Sequence, residues 1–141
     1  MNSLQAIVDY GIIGLLLALS IWALAVATER WIFYRQLNLS QYPDRQQFEI
    51  SLTKRLVVIG TVAANAPYIG LLGTVLGIML TFQSMGAAKT ISVSTIMVGL
   101  SLALKATAVG LLVAIPCVVM NNALRRRVTE LLTEHQAAHG S

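Results

Sequence analysis

The stretch Leu56–Ala88, LVVIGTVAANAPYIGLLGTVLGIMLTFQSMGAA, holds no charged side chain, and its small or hydroxylated residues recur on one helical face. They are Ala66, Gly70, Gly73, Thr74, Gly77 and Thr81. A second apolar stretch, Thr90 to Leu124, is interrupted only by Lys105 and carries a matching stripe of Gly99, Ala103, Ala106, Thr107, Gly110, Ala114 and Cys117. Steps of three, four and seven residues generate both stripes. Lipid offers no hydrophobic drive between helices, so close backbone approach through small residues is what makes spans pack. The pattern predicts two antiparallel helices assembling within a bilayer.

Upstream, Tyr10 to Thr28 is uncharged between Asp9 and Glu29 and supplies a third span, since about 20 apolar residues cross a hydrocarbon core of about 30 Å. With 56% apolar and 11% charged residues in 141, and a mean hydropathy of +0.71, the composition is that of an integral membrane protein. The expected fold is all-α, one membrane domain over residues 1–141 with spans at approximately 7–30, 60–84 and 93–122. Residues 36–55 form a connector, with a short interfacial helix expected around Phe48 and Leu52, and 125–141 form a tail that continues the third helix. Trp22, Trp31, Phe33 and Tyr34 are placed for an interfacial aromatic belt. The second helix is expected to end near Met85, with a turn over Gly86 to Thr90 and the third beginning at Ser92. Met1 to Tyr10 has no basic residue and no small-residue cleavage pattern, so retention of this segment is expected rather than removal as a signal peptide. The last residues are expected to fray, and Gly140–Ser141 read equally as native or as an expression scar.

The net charge of +4 could suggest nucleic acid, but its placement argues against that. Arg30, Arg35, Arg45, Lys54, Arg55, Arg125, Arg126 and Arg127 all flank the spans on one side. The excess of basic residues marks that side as cytoplasmic and puts the N-terminus and the Gln83–Ser92 hairpin outside. Cys117, the single cysteine, lies in an apolar run and is expected to pack as a small hydrophobe.

Depth can be compared by counting from the basic flanks. Thr74 lies nineteen residues from Arg55 and Thr107 eighteen from Arg125, so the two hydroxyls are expected at one level near mid-membrane. A lone helical threonine bonds back to its own i−4 carbonyl; two level threonines on facing stripes favour a polar lining. Pro67 and Pro116 lie at similar depth and each permits a kink, with local shape the simpler role. Lys105 is the expensive residue, at roughly 2.5 to 3.5 kcal/mol for a lysine at mid-span. Two residues from Thr107 is about 200° around the helix, so the two side chains diverge. Lys105 could snorkel outward, pair with a carboxylate of a neighbouring subunit or partner, or hold a carbonyl between helices. Glu29 is a second candidate for such a charge contact.

No Asp, Glu or His falls in the central part of a span: Asp9 and Glu29 flank the first helix, and Glu130, Glu134, His135 and His139 lie in the tail. A proton relay through this chain alone therefore lacks a carrier. Walker-type glycine loops, metal-ligand spacing and nucleophile–base pairs are missing from the sequence, giving no support to an enzyme, a metal site or a cofactor.

The run Ala66-Pro67-Tyr68-Ile69-Gly70-Leu71-Leu72-Gly73-Thr74-Val75-Leu76-Gly77-Ile78-Met79 resembles the second-helix motif of the ExbB/TolQ/MotA proton-channel family. Ala103-Leu104-Lys105-Ala106-Thr107-Ala108-Val109-Gly110-Leu111-Leu112-Val113-Ala114-Ile115-Pro116 resembles its third-helix motif. Both are most similar to the ExbB branch, and the first span matches in topology only. The resemblance implies a homopentamer in the bacterial inner membrane, its second and third helices lining a pore around the transmembrane helices of an ExbD dimer. An ExbD aspartate would then be the missing proton carrier. Thr74 and Thr107 correspond to the pore-lining threonines, and Asn122 to a polar residue near the cytoplasmic mouth. Proton passage would drive rotation, and TonB would transmit the work to outer-membrane receptors for iron chelates or cobalamin. Partners so implied are other copies of the chain, ExbD, TonB and membrane lipid. The sequence departs from the ExbB pattern at Leu102, where better-known members carry a glutamate, at Lys105, and in a much shorter connector. A TolQ-like subunit of the Tol-Pal system shares the architecture. A small multidrug transporter would usually place an acidic residue within a span, and a plain membrane scaffold would not need level threonines.

Overall fold

The structure, a computed structural model, describes residues 3–89 and 91–139. Helix α1 spans Ser3–Arg35, a 3-10 turn covers Leu39–Gln41, and α2, α3 and α4 span Arg45–Thr53, Leu56–Ala88 and Val93–His139. Three of these helices, α1, α3 and α4, are long and apolar enough to cross a membrane. At about 1.5 Å per residue, the 33 residues of α3 and the 47 of α4 both exceed the bilayer's hydrocarbon thickness of about 30 Å.

Large apolar side chains point outward and small ones inward. Leu71, Leu72, Val75, Met79 and Phe82 of α3, and Leu104, Leu111, Leu112, Ile115 and Val119 of α4, are exposed, whereas Ala66, Gly70, Gly73, Gly77, Gly99, Ala103, Ala106, Gly110, Ala114 and Cys117 are buried. In water this inversion would be costly; in lipid the outward side chains are solvated and the small inner faces let the helices meet. The meeting is closest at Gly70 and Gly110. A Cβ at Gly70 would lie 2.8 Å from the Ala106 carbonyl oxygen, and one at Gly110 2.7 Å from that of Ala66. Backbone opposes backbone here, so neither position has room for a side chain.

α1 lies against the α3–α4 pair. Its inward face runs through Gln5, Asp9, Leu16, Ala23, Val26, Ala27, Arg30 and Tyr34. At membrane level this face packs on Val62, Ala63, Ala66, Val113, Ala114 and Cys117. At the basic end a second core is built from larger residues: Tyr34, Phe48, Leu52, Leu56, Ile59, Leu124, Val128 and Leu131. Bulky aliphatic and aromatic packing of this kind resembles a water-soluble core.

The connector forms the expected short helix around Phe48 and Leu52 but packs it differently. Asp44 caps α2 by accepting the Gln46 N–H at 3.0 Å, and Phe48 and Leu52 are completely buried instead of lying on a lipid surface. The extended tail of α4 is the reason, because it offers Leu124, Val128, Leu131 and His135 as an apolar face. Phe48 stacks on His135 with ring centroids 4.6 Å apart, and His135 also hydrogen-bonds the Tyr42 carbonyl through Nε2. The second helix also runs past Gly86, since Ala87 and Ala88 are good helix formers. It stops at Lys89, which takes the left-handed conformation with φ 54° and donates its N–H to the Gly86 carbonyl at 3.3 Å. The far side of the expected turn, at Thr90, and the Gly140–Ser141 end lie outside the described residues. The tail remains helical to His139.

Candidate functional site

The crossing of α3 and α4 positions Thr74 and Thr107 on one flank of the glycine seam. Their hydroxyls hydrogen-bond to each other. Thr74 Oγ1 also donates to the Ala103 carbonyl across the seam at 2.9 Å, with its own i−4 carbonyl at Gly70 farther off at 3.4 Å. Thr107 Oγ1 reaches the same Gly70 carbonyl at 3.4 Å. The cross-helix bond is therefore shorter than the local back-bond that helical threonines ordinarily make. Both residues are half-buried, so the pair is held by the seam yet open on its outer side. Hydroxyls can donate and accept by rotation, a property that suits a site handing protons or water past an apolar wall.

One turn toward the end opposite the basic residues, the seam continues as Gly77 against Ala103 and Thr81 against Gly99. Thr81 Oγ1 accepts the Gln5 side-chain N–H of α1 at 3.0 Å and donates to the Gly77 carbonyl at 2.9 Å. Beyond it a cavity of about 430 Å³ is lined by Gln5, Thr81, Ser84, Ser92, Ser94 and Thr95 together with Met85, Ala88, Val98 and Gly99, so hydroxyls and apolar surface share the mouth of the bundle.

Asp9 is the residue that sequence reasoning misplaced. It does not flank the bundle but is enclosed by it at 5% exposure, with neither carboxylate oxygen hydrogen-bonded among the described residues. The available signal was spacing: Gln5, Asp9, Leu16 and Ala23 fall at steps of four and seven on the inward face of α1. Lys105 is exposed on the subunit surface and does not join the threonine pair.

At the basic end Glu29 is engaged within its own helix. Arg30 Nε and Nη2 donate to the two Glu29 carboxylate oxygens at 2.6 and 2.7 Å, and Arg30 Nη1 donates to the Ser51 carbonyl at 2.8 Å. Tyr34 donates to the Leu52 carbonyl. Arg30 and Tyr34 thus tie α1 to α2, a role that sequence reasoning missed. Asn122 is exposed; its neighbour Asn121 faces Gly60 and accepts from Arg125 Nε at 3.2 Å. Both long helices run unbroken through Pro67 and Pro116. Among the described residues no group of three or more His, Cys, Asp or Glu is placed to hold a metal.

Residues 36–137 match the model of the MotA/TolQ/ExbB proton channel family. The chain is 51% identical over 140 residues to the biopolymer transport protein ExbB of Aquifex aeolicus, covering 99% of this chain and 95% of that protein. It is 50% identical over 136 residues to a putative biopolymer transport protein, ExbB-like 2, of Helicobacter pylori, covering 96% and 91% respectively. With the Tol-Pal system protein TolQ of Haemophilus influenzae it shares 44% identity over 97 residues, covering 69% of this chain but 41% of that protein. Fold, motif and near-complete coverage agree: the chain belongs to the MotA/TolQ/ExbB proton channel family, as a multi-pass membrane subunit of the energiser type.

Proposed function

We propose that the chain is the proton-channel and stator subunit of a TonB–ExbB–ExbD complex in the bacterial inner membrane. Its basic end faces the cytoplasm and its hydroxyl-lined mouth the periplasm. Five copies enclose an ExbD dimer, with the threonine flank of each α3–α4 hairpin turned to the pore. The observation that carries this reading is the paired, half-open Thr74–Thr107 hydroxyl site beside the close Gly70–Gly110 crossing. The ExbD carboxylate supplies the titrating group, and the threonine pair stabilises it at mid-membrane by donating or accepting as its proton comes and goes. Asn121 with Arg125, or Asn122, provides the polar exit toward the cytoplasm. Released protons drive rotation, which TonB conveys to outer-membrane receptors.

The TolQ reading differs in partner. Near end-to-end coverage of ExbB relatives, against 41% of the quoted TolQ, favours ExbB. Co-reconstitution of the chain with ExbD or with TolR in proteoliposomes, followed by proton uptake under a potassium diffusion potential, tests both. Uptake with ExbD that falls in Thr74→Val/Thr107→Val is the expected result. Uptake only with TolR would transfer the chain to the Tol-Pal system, and none with either would remove the channel role.

A further inference from the structure

Asp9 has a defined set of neighbours. On its own helix Gln5 precedes it by one turn and is committed to Thr81 at 3.0 Å. α3 presents Gly77, where a Cβ would sit 3.8 Å from Asp9 Oδ1. Ala103 of α4 packs on that same Gly77 position at 3.0 Å. None of these groups titrates. The basic side chain at this level of α4 is Lys105, two residues from Ala103.

The position of Lys105 on its helix sets the direction of its side chain. It lies about 200° around α4 from Ala103 and from Thr107, so it leaves the helix away from the threonine flank. Its neighbours Leu102 and Val109, at i−3 and i+4, are half-buried, and Val109 packs on the cluster containing Leu16 of α1. Lys105 therefore springs from the border between α4 and α1, with a flexible four-carbon stem that can fold along that border. An isolated carboxylate and an isolated ammonium are each costly in hydrocarbon. Together they offset one another, while removal of either leaves the other uncompensated.

We propose that Asp9 and Lys105 are both ionised and form an ion pair within the membrane that fastens α1 to the α3–α4 hairpin, on the side away from the threonine pair. The pair gives Lys105 a partner inside its own subunit. It also makes α1 docking sensitive to the protonation of a single carboxylate, since a neutral Asp9 no longer holds the ammonium.

The test uses the full chain in lipid nanodiscs at neutral pH, comparing wild type, Asp9→Asn, Lys105→Met, Lys105→Arg, the double Asp9→Asn/Lys105→Met and the exchange Asp9→Lys/Lys105→Asp. Infrared difference spectra against Asp9→Asn report a protonated carboxyl stretch from Asp9. The expected result is no such band in wild type or Lys105→Arg, and its appearance in Lys105→Met, where the stranded carboxylate takes a proton. Thermal unfolding should fall in each neutralised single variant, fall by less than the sum in the double, and recover in the exchange. A protonated Asp9 already in wild type, no band in Lys105→Met, or strictly additive losses of stability would overturn the pairing. The infrared arm stands even where the exchange variant fails to assemble.

Discussion

Thr74 of α3 and Thr107 of α4 share a hydrogen bond across the glycine seam, and Thr74 donates across it to the Ala103 carbonyl at 2.9 Å. Two residues separated by thirty-three positions thus act as one polar unit in an apolar wall. Valine preserves their volume and removes the hydroxyls. We predict that Thr74→Val/Thr107→Val assembles normally but reduces proton uptake by about tenfold, equivalent to about 1.4 kcal/mol in the barrier. Flux in proteoliposomes measures this, and wild-type flux in the double variant would dismiss the polar-lining role.

Gly70 and Gly110 set the distance between α3 and α4. An added Cβ would meet carbonyl oxygens at 2.8 and 2.7 Å, and backbone cannot step aside as a side-chain tip can. Gly70→Ala or Gly110→Ala should cost about 1–3 kcal/mol by overpacking, despite alanine's better helix propensity. Gly60→Ala is the control, because its Cβ would make ordinary contact at 3.6 Å with Asn121. Thermal unfolding in detergent separates them; equal stability for Gly70→Ala and Gly60→Ala would refute the close crossing.

Tyr34 connects α1 to the Leu52 carbonyl from a site 3% exposed. Tyr34→Phe keeps the ring and strands that acceptor. A loss of about 1–3 kcal/mol is expected, read as a lower unfolding midpoint. An unchanged midpoint would mean that the hydroxyl contributes nothing to docking α2.

His135 is sandwiched between Phe48, at 4.6 Å, and His139, at 4.1 Å between ring centroids. Its Nε2 also bonds the Tyr42 carbonyl. His135→Ala removes the stack and the bond, so the connector should come away from α4. Limited proteolysis should then cut within residues 36–55 faster than in wild type, while the membrane helices stay intact. Equal cutting rates would show that the connector is held by other contacts.

Much of this architecture is legible in the residues themselves. Gly70, Gly73, Gly77 and Gly110 announce a tight helix pair because small residues at steps of three and four have one physical use in lipid. Counting from Arg55 and Arg125 suffices to bring Thr74 and Thr107 to one depth, since an α-helix rises by a fixed amount per residue. What the residues conceal is which faces meet at the edges. Asp9 reads as a flanking charge because charged residues usually end spans, yet α1 begins early enough to carry it inside. Phe48 and Leu52 suit an interfacial helix equally well; their burial depends on how far α4 extends beyond the membrane, a tertiary fact. Gly86 looks like a helix stop, but Ala87 and Ala88 carry the helix one turn farther to Lys89.

We propose a ring of these subunits around a partner that supplies the proton carrier. Native mass spectrometry of the purified chain, alone and co-expressed with ExbD, tests it most directly. A pentamer that takes up two copies of ExbD is the predicted result. A dimer indifferent to ExbD would contradict the account and point to a small transporter or a scaffold instead.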